Sequence, residues 1–343
     1  MKIPFLLTII LNALLVWPGC LVAEVKRYKA DVCVYGGTAS GVMAAVAAHK
    51  EGSKVILVEP TRWLGGMTGG GINHLDWGKG ETVGGSTYKI LMEGLKDQKR
   101  AHGGHAKHGI GNKQYRERFK KLVKDRGITV IYDHRVGKVQ VGDETFDKPT
   151  RQQPIAMGEK IASKNKNNSI QSIILDYAPV DETGCPIPEP KKRNVITVSA
   201  KVFIDCSYEG DLLAMSGVRY TWGRESREHY DESLAGVRPS LWIHDIDPYV
   251  EPGNAESGLV PFVQDRKIGP LGSADSLTMG YCFRHEFDMS GKGIPIPEPT
   301  NYNPAEFEVY RRAIRDGVDI FSNRHMRTTV SYTHLTLPTN REV

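Results

Sequence analysis

The stretch ADVCVYGGTASGVMAAVAAHKEGSKVILVEP, residues 30–60, decides the fold. Val32-Cys33-Val34-Tyr35 is a short apolar run ending in glycines, as expected of a strand buried on both faces. Val42 to His49 is rich in alanine and has no breaker, which predicts a helix. Val55-Ile56-Leu57-Val58 reads as a second buried strand. Strand, glycine turn, helix and strand within about 30 residues form the βαβ pattern of a dinucleotide-binding unit.

The residue types fit that chemistry. Gly36 permits a tight turn off the first strand, and Gly41 lets the helix pack closely on the sheet. The helix N-terminus offers unpaired N–H groups and a positive dipole end to a pyrophosphate. Glu59, at the end of the second strand, is placed to accept hydrogen bonds from adenosine ribose hydroxyls and disfavours a 2′-phosphate. The middle glycine of GxGxxG is replaced by Thr38, with Gly37 beside it. A side chain at 38 would either crowd the pyrophosphate or hydrogen-bond it. The candidate cofactor-binding residues of this unit are Gly36, Gly37, Thr38, Ala39, Ser40, Gly41, Glu59 and Pro60.

A second glycine cluster, in PTRWLGGMTGGGINHLDWG, follows Glu59 directly. NAD-dependent Rossmann dehydrogenases do not require one there, whereas glutathione-reductase-like flavoproteins often have one. The blocks YGGTASGVMAA (35–45), LGGMTGGG (64–71), FIDCSYEGDLLAMSGVRYTWGRES (203–226) and IPIPEPTNYNP (294–304) carry a more specific likeness. Over about residues 30–325 the chain resembles the bacterial FAD-dependent oxidoreductase family, some members of which are labelled xanthan-lyase-like. The resemblance implies an α/β fold: a Rossmann-like FAD-binding domain with a parallel central sheet and an inserted β-rich substrate region. It implies FAD as cofactor, with Gly65, Gly66 and Met67 on the flavin side. It also implies that the strand in GITVIYDHRV (127–136) approaches the adenine near Val136. In VITVSAKVFIDCSYEGD (195–211) we expect a hairpin strand and then a buried strand ending at Asp205. Asp205 and Asp211 are candidate cofactor contacts; alternatively Asp205, Glu209 and Asp211 end the strand and cap a helix starting near Leu212.

The sequence narrows the class of flavoenzyme. LGGMTGGG carries no CxxxxC of the disulfide-reductase type, and no second strand-GxGxxG-helix unit is apparent. A direct two-electron transfer between an organic substrate and the flavin is therefore expected. The alternatives are an inactive FAD-binding remnant and an NAD-dependent dehydrogenase. Such chemistry needs a positioned acid or base and, for anionic transition states, cations. His74, Asp76, Arg224 and Arg284 are the candidates, with Tyr220 and Glu225 beside them, although each arginine reads equally well as an ion-pair partner. Cys206 reads as a small residue at a strand end rather than a covalent flavin tether. His102, His105 and His108 lie in a glycine-containing loop without cysteine or carboxylate support, so no metal site is assigned.

The 343 residues, with 40% hydrophobic, 36 glycines and a net charge of +5, describe an ordinary globular chain and exclude collagen-like, coiled-coil and disordered classes. Between Lys89 and Arg126 twelve basic residues face four acidic ones. The segment 113–126 reads as an amphipathic helix with Tyr115, Phe119, Leu122 and Val123 on its apolar face, so the basic stripe is a solvated face rather than a nucleic-acid site. Five widely spaced cysteines give no disulfide framework.

Lys2, the apolar run Ile3 to Trp17 and Pro18-Gly19-Cys20 read as a secretory signal, so export is expected. Cleavage after Ala23 gives a soluble protein; cleavage before Cys20 gives a membrane-anchored lipoprotein, with Trp17 an atypical lipobox residue. SYTHLTLPTNREV (331–343) resembles translated sequencing-adapter read-through, so natural sequence is expected to stop near Val330. The rest then reads as the front of a longer enzyme that binds FAD poorly or folds incompletely alone. The expected organisation is a signal at 1–23, an FAD-binding domain at 24–141 and 195–235, a polar loop and hairpin insertion at 142–194, and a substrate domain beginning at 236–330. The expected partner is a small-molecule substrate, with sugar-derived compounds as the first class to test.

Overall fold

The structure, a computed structural model, describes residues 25–70, 85, 112–147, 169–182, 184–218, 220–238, 246–265, 268–277, 298 and 301–317. In chain order its elements begin with strands β1 (Lys26–Lys29) and β2 (Val32–Tyr35), helix α1 (Ala39–Lys50) and strand β3 (Val55–Glu59). A single helical turn α2 (Gly66–Gly69) and helix α3 (Asn112–Lys124) follow. Strands β4 (Thr129–Tyr132), β5 (His134–Val141), β6 (Glu144–Phe146), β7 (Ile170–Tyr177), β8 (Lys192–Ser199) and β9 (Val202–Asp205) come next. Short helices α4 (Asp211–Met215), α5 (Arg227–Tyr230) and α6 (Glu308–Arg315) complete the set.

Two sheets share these strands. The first is parallel throughout, in the order β4-β3-β2-β9. The second, in the order β1-β8-β7-β5-β6, is antiparallel except where β1 runs beside β8. The period of two along a strand explains how the layers stack. Val32 and Val34 of β2, with Val55 and Leu57 of β3, join Val42, Ala45 and Val46 of α1 and Tyr115, Phe119 and Val123 of α3. The alternate residues Cys33, Tyr35, Ile56 and Val58 face Val136, Val139, Ile173, Leu175 and Val198 of the second sheet. Helices, parallel sheet and antiparallel sheet thus form three layers, with β2 and β3 apolar on both faces because both are covered.

The βαβ unit, α3 and β4 form where the sequence places them, and the architecture is the expected α/β one with a parallel central sheet. Leu122 of α3 is only partly buried beside Tyr115, Phe119 and Val123. The charged face of α3 carries solvent-exposed pairs, Lys120 with Glu117 and Lys121 with Asp125. One expectation needs correction: β9 is not a buried strand. Among the described residues it is the outer strand of the parallel sheet, and Val202 is exposed. The preceding β8 pairs with β7 as a hairpin strand and belongs to the other sheet. The chain changes sheets a second time at Asp133, whose left-handed backbone (φ 59°) separates β4 from β5. Strands β6 and β7 of segment 142–194 belong to the second sheet, β7 between β5 and β8 and β6 on the other side of β5. The described parts of 236–330 hold turns, short 3-10 turns and α6, where Arg312 is buried and donates to the carbonyls of Asp247, Tyr249 and Val250. Among the described residues no helix is long and apolar enough to cross a membrane.

Candidate functional site

Strands β2, β3 and β9 all end at the same edge of the parallel sheet, and the loops leaving them enclose a cleft. This is where ligands bind on open parallel sheets. The cleft measures about 290 Å³ and is lined by the first glycine turn (Gly36, Thr38), the β3 end (Glu59, Pro60, Thr61, Trp63), the second glycine turn (Gly66, Gly70), the β9 loop (Ser207, Tyr208, Glu209) and Gly184.

The first turn is shaped by contacts that leave no room for side chains. Gly36 has φ +89°, and a Cβ there would lie 2.5 Å from Ser207 N. A Cβ on Gly41 would lie 1.9 Å from the Gly36 carbonyl oxygen, so its absence lets α1 start directly over the turn. Thr38, in place of the usual glycine, is the N-cap of α1. Its Oγ1 accepts from Gly41 N at 3.2 Å and donates to the Cys206 carbonyl at 2.8 Å, tying the helix start to the end of β9. By helix geometry the first-turn N–H groups of Ala39 and Ser40 have no acceptor within the helix.

Glu59 is the buried carboxylate of the cleft. It is only 6% exposed, and its Oε2 accepts from Gly37 N at 2.6 Å while Oε1 accepts from the N and Oγ1 of Thr61, both at 2.6 Å. Burial raises its carboxyl above the usual range, opposed by the Thr61 and Gly37 donors and reinforced by nearby Glu209. A carboxylate offers about four acceptor positions, so three bonds leave one for a ligand hydroxyl. Gly37 is the seat of this carboxylate rather than a wall of the cleft, since a Cβ there would meet Glu59 Oε2 and Leu64.

The second glycine turn is coupled to the first. Gly65 N donates to Gly37 O at 2.8 Å, and Gly65 and Gly66 both have positive φ, 98° and 51°. Met67 is exposed, and its N–H donates to the hydroxyl of Tyr208 at 2.9 Å. Trp63 carries the Arg116 guanidinium over its ring at 4.3 Å.

Other sequence-derived candidates lie elsewhere. Val136 is buried between the sheets, where its N–H donates to the Tyr35 hydroxyl. Asp205 is engaged within its own loop: Oδ1 accepts from the N and Oγ of Ser207, and Oδ2 accepts from Leu213 N at 2.8 Å. It therefore caps α4, whose N-cap residue Gly210 has no side chain to do so. Asp211 sits in the first turn of α4, its carboxyl raised by burial and by Glu209 and Asp205. Burial also raises the Cys206 thiol, which favours the protonated form and works against a covalent tether. Arg224 makes a two-pronged ion pair with Asp275, and Tyr220 meets the Trp222 ring in a tilted contact; none of these lines the cleft. His74, Asp76, Arg284 and the histidines 102, 105 and 108 lie outside the described residues.

Thr61, Trp63, Ser207, Tyr208 and Gly184 line the cleft without having been singled out from sequence. Trp63 and Tyr208 stand within recognisable blocks, so adjacency was the available signal. Gly184 had none: Arg62 holds its loop by donating to Val180 O, and Arg135 by donating to Ile187 O and Pro188 O.

If Asp205 acts as a cap, Asp205→Ala should lower stability by about 0.5–2 kcal/mol in urea denaturation. A loss of FAD affinity exceeding the stability loss would instead place Asp205 against the cofactor.

The residues present fit a dinucleotide. Among the described residues the lining has no lysine or arginine, so the positive end for a diphosphate is the start of α1, while Glu59 suits hydroxyl donors and Trp63 and Tyr208 offer aromatic walls. Comparison with known proteins bears on which dinucleotide it is. No curated protein matches the chain. Among solved structures, a geranylgeranyl bacteriochlorophyll reductase-like protein from Thermoplasma acidophilum is 15% identical, with 56% of this chain and 43% of that one covered and a TM-score of 0.32. L-proline dehydrogenase from P. horikoshii is 14% identical over 60% of this chain and 26% of that one, with a TM-score of 0.27. A flavocytochrome c3 fumarate reductase is 19% identical over 52% and 33%, with a TM-score of 0.28. The chain thus spans less than half the length of each of these. The family described as FAD dependent oxidoreductase matches residues 31–160 and 187–341, which takes in most of the chain and runs on through the tail-like stretch. The chain belongs to the FAD dependent oxidoreductase family, with FAD as its cofactor.

Proposed function

We propose that the cleft is the FAD site and that the chain is part of an exported enzyme moving two electrons directly between a small organic substrate and the flavin. The observation that carries this reading is Glu59, a buried carboxylate with a spare acceptor position beside the start of α1. Glu59 would take the adenosine ribose and the Ala39 and Ser40 N–H groups the diphosphate. The Gly65 to Met67 turn would face the flavin, whose ring system supplies the electron-accepting chemistry when bound.

The chain's own part is to bind, orient and shield. Thr38 fixes the start of α1, the Gly37 and Thr61 donors oppose the upward push of burial on the Glu59 carboxyl, and Tyr208 and Trp63 wall the cleft. The absence of a CxxxxC motif supports direct exchange with substrate rather than relay through a disulfide.

Anaerobic addition of sugars and small polar acids to the FAD-loaded protein tests this. Loss of flavin absorbance with an organic donor, and none with NADH, is expected. Faster reduction by NADH than by any organic donor would overturn direct substrate exchange.

A further inference from the structure

From the way Tyr208 spans the cleft we infer that it is a cofactor-positioning residue, a latch that joins the β9 loop to the second glycine turn and sets how long FAD stays bound. This rests on the cleft being the FAD site.

Tyr208 is 58% exposed, yet its hydroxyl reaches across the cleft to Met67 N at 2.9 Å, joining residues 141 positions apart. The hydroxyl packs against the opposing turn, where a Cβ on Gly66 would lie 2.3 Å from it. Met67 N–H belongs to the first turn of α2, where a backbone donor has no acceptor of its own within the helix. Tyr208 supplies that acceptor.

The mount is rigid. Ser207, immediately before it, is held through both N and Oγ by Asp205, and its Oγ accepts from Gly210 N at 3.0 Å. A side chain fixed at its base and hydrogen-bonded at its tip is a strut between two walls of the cleft. A ligand lying between the start of α1 and the second turn leaves only when that strut opens. The strut must open for a ligand to pass in either direction, so the hydroxyl acts on the entry of FAD as well as on its release.

The test is stopped-flow release of FAD from the loaded full chain into excess ADP-ribose, read by recovery of flavin fluorescence, for the unsubstituted protein and Tyr208→Phe. Phenylalanine keeps the ring and removes only the acceptor. FAD release about three- to tenfold faster, with association faster as well, is the expected result for loss of one neutral hydrogen bond. Faster amide exchange at Met67 in Tyr208→Phe should accompany it. Equal release rates, or slower release because the tyrosine competes with FAD, would overturn the latch. Failure of the unsubstituted chain to bind FAD would overturn the site assignment together with it, a result visible before any variant is made.

Discussion

Gly41→Ala should cost at least about 2 kcal/mol of stability and take most of the FAD affinity with it, the reverse of the usual effect of this exchange in a helix. At an ordinary helical position alanine is favoured over glycine by about 1 kcal/mol. Here the added carbon would sit 1.9 Å from the Gly36 carbonyl oxygen and 3.1 Å from the Cys206 Cβ. The nearer atom is backbone, so no side chain can swing aside. Either α1 lifts away from the sheet or the first turn opens. Both move Thr38 off Cys206 O and carry the Ala39 and Ser40 N–H groups out of place. Each charge-assisted bond lost to the diphosphate is worth about 1.5–3 kcal/mol, or roughly tenfold or more in affinity. Urea denaturation and FAD titration check the two halves; a variant as stable as the parent would contradict the packing argument.

Glu59→Gln should weaken FAD binding by about 10- to 100-fold and destabilise the chain even without cofactor. Both carboxylate oxygens accept from N–H or O–H donors, so either orientation of the amide turns its NH2 toward a donor. A buried donor left unpaired costs about 1–3 kcal/mol. The pH dependence gives a second readout. The folded chain holds the Glu59 carboxyl above the 4.5 of its ordinary state, so it binds this proton more tightly than the unfolded chain does. Its contribution to stability is fully present below that ordinary value and is lost as pH rises through the raised one. Ribose hydroxyls favour the ionised form, so FAD affinity should fall as pH drops through the raised value. In Glu59→Gln that limb of the pH profile should vanish.

The sequence made some of this legible for physical reasons. A strand covered on both faces is apolar along its covered stretch, so Val32–Tyr35 and Val55–Val58 stand out, and the alanine-rich, breaker-free stretch after Gly41 favours a helix. Gly36 and Gly41 were readable because the turn and the close packing each demand glycine, and Glu59, read as a ribose acceptor, lies buried at the cleft. Thr38 left two readings open; it is the cap of α1 and a wall of the cleft at once. Other features depend on tertiary contact and leave no local pattern. The switch of sheets at Asp133 is one, because nothing in GITVIYDHRV says that β5 leaves the parallel sheet. Asp205 is another, since a carboxylate at a strand end serves a ligand or a helix start equally well until Leu213 N is seen to point at it. The seat of Glu59 on Gly37 and the strut from Tyr208 to Met67 depend on residues 22 and 141 positions apart.

Amide hydrogen exchange with and without saturating FAD, read across residues 36–42 and 65–69, tests the central claim most directly. The account predicts that FAD slows exchange at Gly37, Ala39 and Ser40 and in the second glycine turn, whereas NAD at equal concentration leaves these amides unchanged. Unaltered exchange at the start of α1 under saturating FAD, or equal protection by NAD, would contradict it.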